Sequence, residues 1–343
     1  MRQLLTIITP EANAWDAFVR THPHGHLLQL SAWATLKEAF GWQSERVALC
    51  ADGAVMAGAQ VLFTPLPLHI GTIAYLPFGG LVTDEHHWPT LWQAVSEVCR
   101  RRRAVLLKWE PGFHAPPTAQ LSAWGFQPSP QTIQPPNTIL IDLDDDETML
   151  ARMNQGTRRK IRQAAKGGVR CCEAARSDLP RFTTMMQATG QRNAFGVHAP
   201  AYYQHAYELF VPHDAALILA EHQGDTLAGV FVFALGSTAW YLYGASADQK
   251  RHLMASYAAQ WHAIQWARAR GCRVYDMWGI PDTDADTLEA QFEQRSDGLW
   301  GVYGFKRGWG GRIARTAGAW DRPYQPLVYQ LYRLYVRRRR QSP

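Results

Sequence analysis

The chain of 343 residues lacks any run of roughly 18 consecutive apolar residues, so no membrane-spanning helix is expected. Its opening, MRQLLTIITPEANAW, is too short and too early in charge for a secretory signal, and the expected location is the cytoplasm. Cysteine is scarce: Cys50, Cys99, Cys171, Cys172 and Cys272 form an odd set without metal-site spacing. They fit reduced core thiols, and the adjacent Cys171 and Cys172 are not a C-x-x-C redox motif. A P-loop, an H-E-x-x-H helix and a G-x-S-x-G elbow are all missing, which removes the phosphate-loop, zinc-peptidase and nucleophile-elbow classes. The 13 histidines show no ligand pattern; His22, His24 and His26 alternate in an apparent loop and His86-His87 are adjacent, so no metal site is expected. Sustained heptads are also absent.

What is present describes an ordinary globular chain with a basic bias. Hydrophobic residues make up 47% and charged residues 19%, and the length suffices for two domains. The 14 tryptophans suggest apolar clefts as well as core. A net charge of +6 favours anionic partners such as nucleic acid, phosphorylated nucleotides or acidic lipid. Much of the excess sits in Arg100–Arg103, in Arg158, Arg159, Lys160 and Arg162, and in Arg337–Arg340. Any one cluster reads as a solvated face, but three in one chain shift the balance toward binding.

The stretch Gly298–Gly311, GLWGVYGFKRGWGG, is the most informative. Glycines alternate with Trp300, Tyr303, Phe305 and Trp309, and Lys306 and Arg307 lie between. Glycine permits sharp turns and close backbone approach, and aromatic rings give a rigid apolar lining. A lysine there packs its stem on rings and aims its ammonium into a cleft. Read alone, the segment fits equally a glycine-rich β-hairpin with a solvated Lys-Arg pair.

Its surroundings carry a resemblance. Trp240-Tyr-Leu-Tyr-Gly-Ala-Ser246, Gln260 to Gly271, Val274-Tyr-Asp-Met-Trp-Gly-Ile280 and Ala317-Gly-Ala-Trp-Asp321 accompany it. Together these resemble the Fem family, the aminoacyl-tRNA-dependent transferases that build peptidoglycan interpeptide bridges. Trp309 replaces the phenylalanine usual in the F-K-x-x-F-G-G motif. Without heptads, the chain resembles the armless, FemX-like type.

The chain also reads as one structural unit used twice. Strand, glycine turn and strand occur at Ala48–Gly53 with Met56–Phe63, and again at Leu219–Gly224 with Leu227–Phe233. A third strand around Tyr75 or Tyr243 follows, then a helix (Trp88–Arg102; His252–Arg270), then a buried strand (Ala104–Trp109; Arg273–Trp278). The pairs Gly58 and Gly229, Tyr75 and Tyr243, and Trp109 and Trp278 are each separated by about 170 residues, which argues for duplication and not a solenoid. The order β-β-β-α-β is the core of a GNAT-type acyltransferase fold, in which two central strands splay to open a cleft. The expected class is therefore α+β, with two tandem GNAT-like domains and no coiled-coil arm. Expected boundaries are 1–145 for the first domain (precursor side) and 146–325 for the second (the glycine-aromatic cleft). Residues 326–343 would form a basic amphipathic helix and tail. The acidic run Asp142–Glu147 reads as a solvated helix start. In the second helix, Tyr257 and Trp261 share a face with Leu253, Ile264 and Ala267 and read as core.

The resemblance implies a reaction: an amine on the stem peptide of a peptidoglycan precursor attacks the ester carbonyl of an aminoacyl-tRNA. The precursor is nucleotide-linked or lipid-linked, no cofactor or metal is implied, and a monomer is expected. The ester is already activated, so the protein supplies positioning, proton management and charge stabilisation. Lys306, beside Phe305, matches the family's F-K position and would meet the tRNA end or the forming oxyanion. Lys37, in Gln29-Leu-Ser-Ala-Trp-Ala-Thr-Leu-Lys37 before Gly41-Trp42, resembles the lysine that contacts the precursor's phosphates, and Arg192 in Thr189-Gly-Gln-Arg192 resembles the second such contact. Tyr241 and Tyr243 match the family's Y-x-Y, and their alternate positions on a strand predict one shared face. Glu110, where the family has Asp-Pro, ends a strand beside an expected splay and would orient or deprotonate the amine. Arg158, Arg159, Lys160 and Arg162 would form a tRNA-facing patch.

Two alternatives stand beside this. A GNAT acetyltransferase would bind acetyl-CoA through a glycine-rich loop at a helix N-terminus, but Ser246–His252 and the stretch from Phe78 lack those glycines. A non-catalytic RNA-binding protein would use the basic clusters and would not need the cleft around Lys306. At the C-terminus, Leu327, Leu331, Leu334 and Tyr335 share a helical face with arginines following, which fits contact with the inner leaflet; packing on the second domain is the alternative.

Overall fold

Both strand–glycine–strand segments fold as antiparallel hairpins. Gln43–Ala51 pairs with Ala54–Pro65 around Asp52 and Gly53, and Ala215–His222 pairs with Asp225–Leu235 around Gln223 and Gly224. All four turn residues have positive φ. Such a turn matches the twist of the flanking strands, and glycine relieves the strain at its second position. The computed structural model describes residues 5–193 and 196–341.

These hairpins seed two units, one formed by residues up to 136 together with those from 315 onward, the other by 137–314. The expected break at 145/146 and the expected end of the second domain at 325 both move. Asn137–Asp142 pairs with Val274–Asp276 and so belongs to the second unit. The chain then returns, and Trp320–Pro323 pairs with Ala104–Glu110 in the first unit's sheet.

Among the described residues the first sheet runs Thr6–Ile8, Gln43–Ala51, Ala54–Pro65, Thr72–Pro77, Ala104–Glu110, Trp320–Pro323 and Gln127–Pro128, with Leu81–Val82 attached to Ala54–Pro65. The helix Trp88–Arg101 lays Leu91, Trp92, Val95 and Cys99 on this sheet. Trp92 meets Trp109 edge-on at 4.6 Å, an arrangement that suits the ring quadrupoles. The second sheet runs Arg312–Arg315, Asn137–Asp142, Val274–Asp276, Thr238–Ser246, Asp225–Leu235, Ala215–His222 and Arg170–Glu173. The helix Ala255–Ala269 buries Ala259, Ala263, Ile264 and Ala267 against it. Each unit thus carries the expected β-β-β-α-β order.

The units differ at their central parallel strands. In the first, Thr72–Pro77 and Ala104–Glu110 stay registered through Pro77 and Glu110, so no splay opens at Glu110. In the second, pairing ends at Trp240 and Asp276, while Thr238–Ser246 continues alone on that side to Ser246. The cleft therefore lies in the second unit.

The acidic run behaves as expected: the Asp145 carboxylate caps the helix Asp146–Arg152 by accepting from the Thr148 N–H at 2.9 Å. The C-terminal helix Pro326–Gln341 packs Tyr329 against Val105 and Leu106 of the first unit. Among the described residues no helix is long and apolar enough to cross a membrane.

Candidate active site

The glycine-aromatic segment is not a hairpin. Trp300–Lys306 forms a helix that tightens into a single turn at Arg307–Trp309. Its glycines permit close packing: a β-carbon on Gly308 would lie 2.3 Å from the Thr157 hydroxyl. The helix turns Lys306 inward, where the side chain is 6% exposed.

Two carbonyls receive the Lys306 ammonium, Gly279 O at 2.7 Å and Trp278 O at 3.3 Å. They belong to the turn that follows Val274–Asp276, where Trp278 takes a left-handed φ of 58°, a conformation uncommon for a bulky residue. An ammonium has three donors, so one remains uncommitted among the described residues. The Tyr241 ring lies 5.5 Å from Nζ, within cation–π range. Burial lowers the Lys306 pKa to about 7, opposed by the Asp276 carboxylate. Burial raises that of Asp276 to about 6, opposed by hydrogen bonds from the Thr138 hydroxyl and from the Trp278 N–H at 2.7 Å. Asp276 stands inside the Y-D-x-W-G-I motif, yet nothing in the motif reveals that it faces a buried cation.

Tyr241 and Tyr243 do not share a face. A bulge at Leu242 sets Tyr243 opposite Phe231 but Tyr241 opposite Val232, so the extra residue turns them to opposite sides. Tyr243 packs edge-on against Tyr203 at 5.2 Å and reaches the Tyr202 hydroxyl at 3.4 Å. Tyr241 packs on the core that holds Val230 and Val232.

Where Thr238–Ser246 runs on past its parallel partner, a cavity of about 280 Å³ opens. Thr189 and Arg192 line it from the helix Leu179–Asn193, Tyr241, Gly244 and Ser246 from the strand, Arg251, Ser256 and Tyr257 from the next turn and helix, and Phe305 from the glycine-aromatic helix. Tyr257 packs on the core as expected, stacking on Trp309 at 5.9 Å and meeting Phe305 edge-on at 4.9 Å, and it also lines this cavity. The cavity gathers Arg192, Tyr241 and Phe305 of the expected residues; Tyr243 does not line it.

Arg192 is held in place. It pairs with Asp248 at 2.6 Å and donates to the Ser246 hydroxyl at 3.0 Å. The basic cluster on the helix Gln155–Lys166 divides. Arg158 donates to the Met153 and Leu150 carbonyls and closes the preceding helix. Lys160 donates to the Tyr257 hydroxyl at 2.9 Å. Arg159 and Arg162, joined by Lys166, face outward beside His252 and Leu253. Spacings of three and four residues put these three on one helical face and exclude Lys160; Arg158, four residues before Arg162, is held instead by the carbonyls of the preceding helix.

In the first unit, the Lys37 ammonium lies 5.7 Å from the Trp33 ring and 5.8 Å from Trp42, and burial lowers its pKa. Trp42 leans on Tyr75, whose hydroxyl donates to Glu110 Oε2 at 2.5 Å. Glu110 Oε1 accepts from the Ile133 N–H at 2.5 Å and the Gln134 N–H at 3.2 Å. Burial raises the Glu110 pKa against these bonds. The carboxylate is thus committed to holding Tyr75 and a backbone turn.

One glycine decides the position of Tyr241. A β-carbon on Gly244 would sit 1.9 Å from the Tyr241 hydroxyl and 2.5 Å from its ring carbons. Gly244→Ala is therefore expected to displace the ring from Lys306 and lower turnover about tenfold, with the fold intact by circular dichroism. Unchanged turnover would separate Tyr241 from the working site.

The FemAB family matches residues 11–116, 122–225 and 220–337. A Staphylococcus haemolyticus protein named Lipid II:glycine glycyltransferase is 27% identical, covering 92% of each chain. A Staphylococcus aureus protein of the same name is 26% identical, also over 92% of each. The crystal structure of FemX superposes with a TM-score of 0.86 at 24% identity, over 96% of this chain and 100% of that one. A tandem GNAT protein from the clavulanic acid pathway gives 0.54 at 13% identity, over 93% of this chain and 98% of that one, which supports the twin GNAT-like fold alone. With matches running through both units, the chain belongs to the FemAB family.

Proposed function

We propose that this protein transfers an amino acid from aminoacyl-tRNA to the stem-peptide amine of a peptidoglycan precursor. Relatives matched over 92% of their own length that carry the name Lipid II:glycine glycyltransferase make glycine and the lipid-linked precursor the first pair to test. The observation that carries the reading is the buried Lys306 ammonium with its spare donor, set behind Tyr241 and Phe305, which line a cavity that Lys306 itself does not line.

In the reaction the amine nitrogen forms a bond to the ester carbonyl carbon and the bond to the ribose oxygen breaks. The amine gives up a proton and the ribose oxygen gains one. Lys306 donates its free N–H to the carbonyl oxygen as negative charge develops there, a role worth most where water is excluded. Phe305, Tyr241 and Tyr257 supply the apolar wall. Lys37 and Arg192 hold precursor phosphates. Glu110 positions Tyr75 and is not the base, because its lone pairs are already engaged.

The test is one incubation of the protein with total aminoacyl-tRNA and both precursors, read by mass. A mass gain of one amino acid on either precursor supports the reading; no gain, or an acetyl gain alone when acetyl-CoA is supplied in a parallel incubation, refutes it. For the tRNA itself, replacing Arg159, Arg162 and Lys166 together by glutamine is expected to reduce the salt-dependence slope of tRNA binding by about 2 to 3. An unchanged slope returns that face to solvent.

A further inference from the structure

The C-terminal helix has two apolar faces. One is covered: Tyr329 is buried against Val105 and Leu106, with Val328 and Tyr332 packed around it. The other is bare. Leu327, Leu331 and Leu334 are 84%, 66% and 53% exposed, and spacings of four and three residues align them in one stripe. Covering one apolar face is enough to seat the helix, so folding does not explain the second. Single exposed leucines are common on proteins, but an aligned stripe marks an interaction surface.

A second element of the same unit repeats the feature. The loop between Ala54–Pro65 and Thr72–Pro77 is closed by a bond from the Leu66 N–H to the Gly71 carbonyl at 2.9 Å. Leu66 packs into the Tyr329 cluster, which ties the loop to the helix. At its tip Leu68 is 90% exposed and has a φ of 58°. For leucine a left-handed backbone is strained, and the fold recovers no burial from it. Ile70 beside it is 45% exposed.

The surroundings are basic. Arg337 and Arg338 follow the stripe on the helix and are exposed. Arg103, also exposed, has its carbonyl bonded to the Gln325 side chain at 3.2 Å and to the Thr72 N–H at 3.1 Å, which puts it at the junction of loop and helix. The cluster's other members are occupied: Arg101 and Arg102 pair with Glu45, and Arg100 lies over Tyr324.

We propose that the Leu68 loop and the leucine stripe of the C-terminal helix together form a docking surface for an anionic lipid bilayer. The leucines enter the acyl boundary, and the arginines meet the headgroups. Apolar side chains at a loop tip and along a surface helix, with cations beside them, have the composition of an interfacial membrane contact. A protein partner would have to cover both elements and would not require the cations. The inference does not depend on which amino acid is transferred.

The test is co-sedimentation of the full chain with vesicles of phosphatidylcholine alone and with about one-third phosphatidylglycerol, at physiological salt, with sedimentation velocity run in parallel. Wild type is expected to bind the anionic vesicles and to bind the neutral ones at least tenfold more weakly. Leu327→Ser/Leu331→Ser/Leu334→Ser and, separately, Leu68→Ser should each lower partitioning into anionic vesicles at least tenfold. Arg337→Gln/Arg338→Gln should lower it severalfold. All these positions are exposed, so circular dichroism should stay native. No binding by wild type, equal binding to both vesicle types, or leucine variants that bind as wild type does would each overturn the proposal. A wild-type dimer that the leucine changes dissociate, without loss of vesicle binding, would assign the surface to a second copy and overturn it as well.

Discussion

Lys306→Met is expected to lower transfer by about a hundredfold or more while leaving the protein at least as stable as before. Methionine keeps the length and apolar stem of the side chain. What goes is an ammonium that burial has already made costly, as its lowered pKa of about 7 records. The unfolded chain holds the lysine proton up to the ordinary value of 10.5. Between about 7 and 10.5 the unfolded state therefore binds more protons than the folded one, and wild-type stability should rise with pH across that window. The variant should lose that rise. Asp276 acts in the opposite sense: the folded state keeps its proton between 3.8 and about 6, so stability should fall as pH rises there. Activity carries a third sign. A donor that must be protonated is lost as pH rises, so the wild-type rate should fall through about pH 7. Thermal melts from about pH 3.5 to 10.5 and transfer rates from about pH 5 to 10, on both proteins, check all three. Near-wild-type turnover by Lys306→Met would remove the residue from the mechanism.

The parts of this site that were legible in the sequence are those set by local chemistry. The paired hairpins announce themselves through Gly53 and Gly224, and the helix Ala255–Ala269 through its 3.6-residue period, because both depend on neighbours within a few positions. Lys306 stands out by its motif. Its environment does not, since the carbonyls that hold it come from Trp278 and Gly279 on another element. The bulge at Leu242 left no local sign either, and one extra residue was enough to reverse the inferred direction of Tyr241 relative to Tyr243. Arg158 looked like its neighbours in a basic run, but the carbonyls of the preceding helix claim it. The return of Trp320–Pro323 to the first sheet depends on pairing with Ala104–Glu110, some two hundred residues away in sequence, which no window of local periodicity can report.

Lys37→Ala is expected to raise the KM for the precursor by about a hundredfold and Arg192→Ala by about tenfold, with the KM for aminoacyl-tRNA unchanged. A charge-assisted hydrogen bond contributes roughly 1.5–3 kcal/mol, which spans that range at about 1.4 kcal/mol per factor of ten. The order of the two effects follows from their surroundings. The Lys37 ammonium lies against the Trp33 and Trp42 rings, and burial already lowers its pKa, so a nearby phosphate stabilises its charged form against that desolvation. Arg192 is bound to Asp248 at 2.6 Å and to Ser246, so a phosphate must compete with a carboxylate for it. Asp248 is mostly exposed, with 65% of its side chain in solvent, which makes the competition one that salt and water weaken. Asp248→Asn should consequently lower the precursor KM by a few-fold, the reverse of the Arg192 change, while leaving Lys37 variants as impaired as before. Steady-state kinetics on the three single variants and on Lys37→Ala/Asp248→Asn decide this. If Asp248→Asn raises the precursor KM, the aspartate holds Arg192 in its working position, and the competition argument fails. If Lys37→Ala instead moves only the KM for aminoacyl-tRNA, the lysine serves the other substrate.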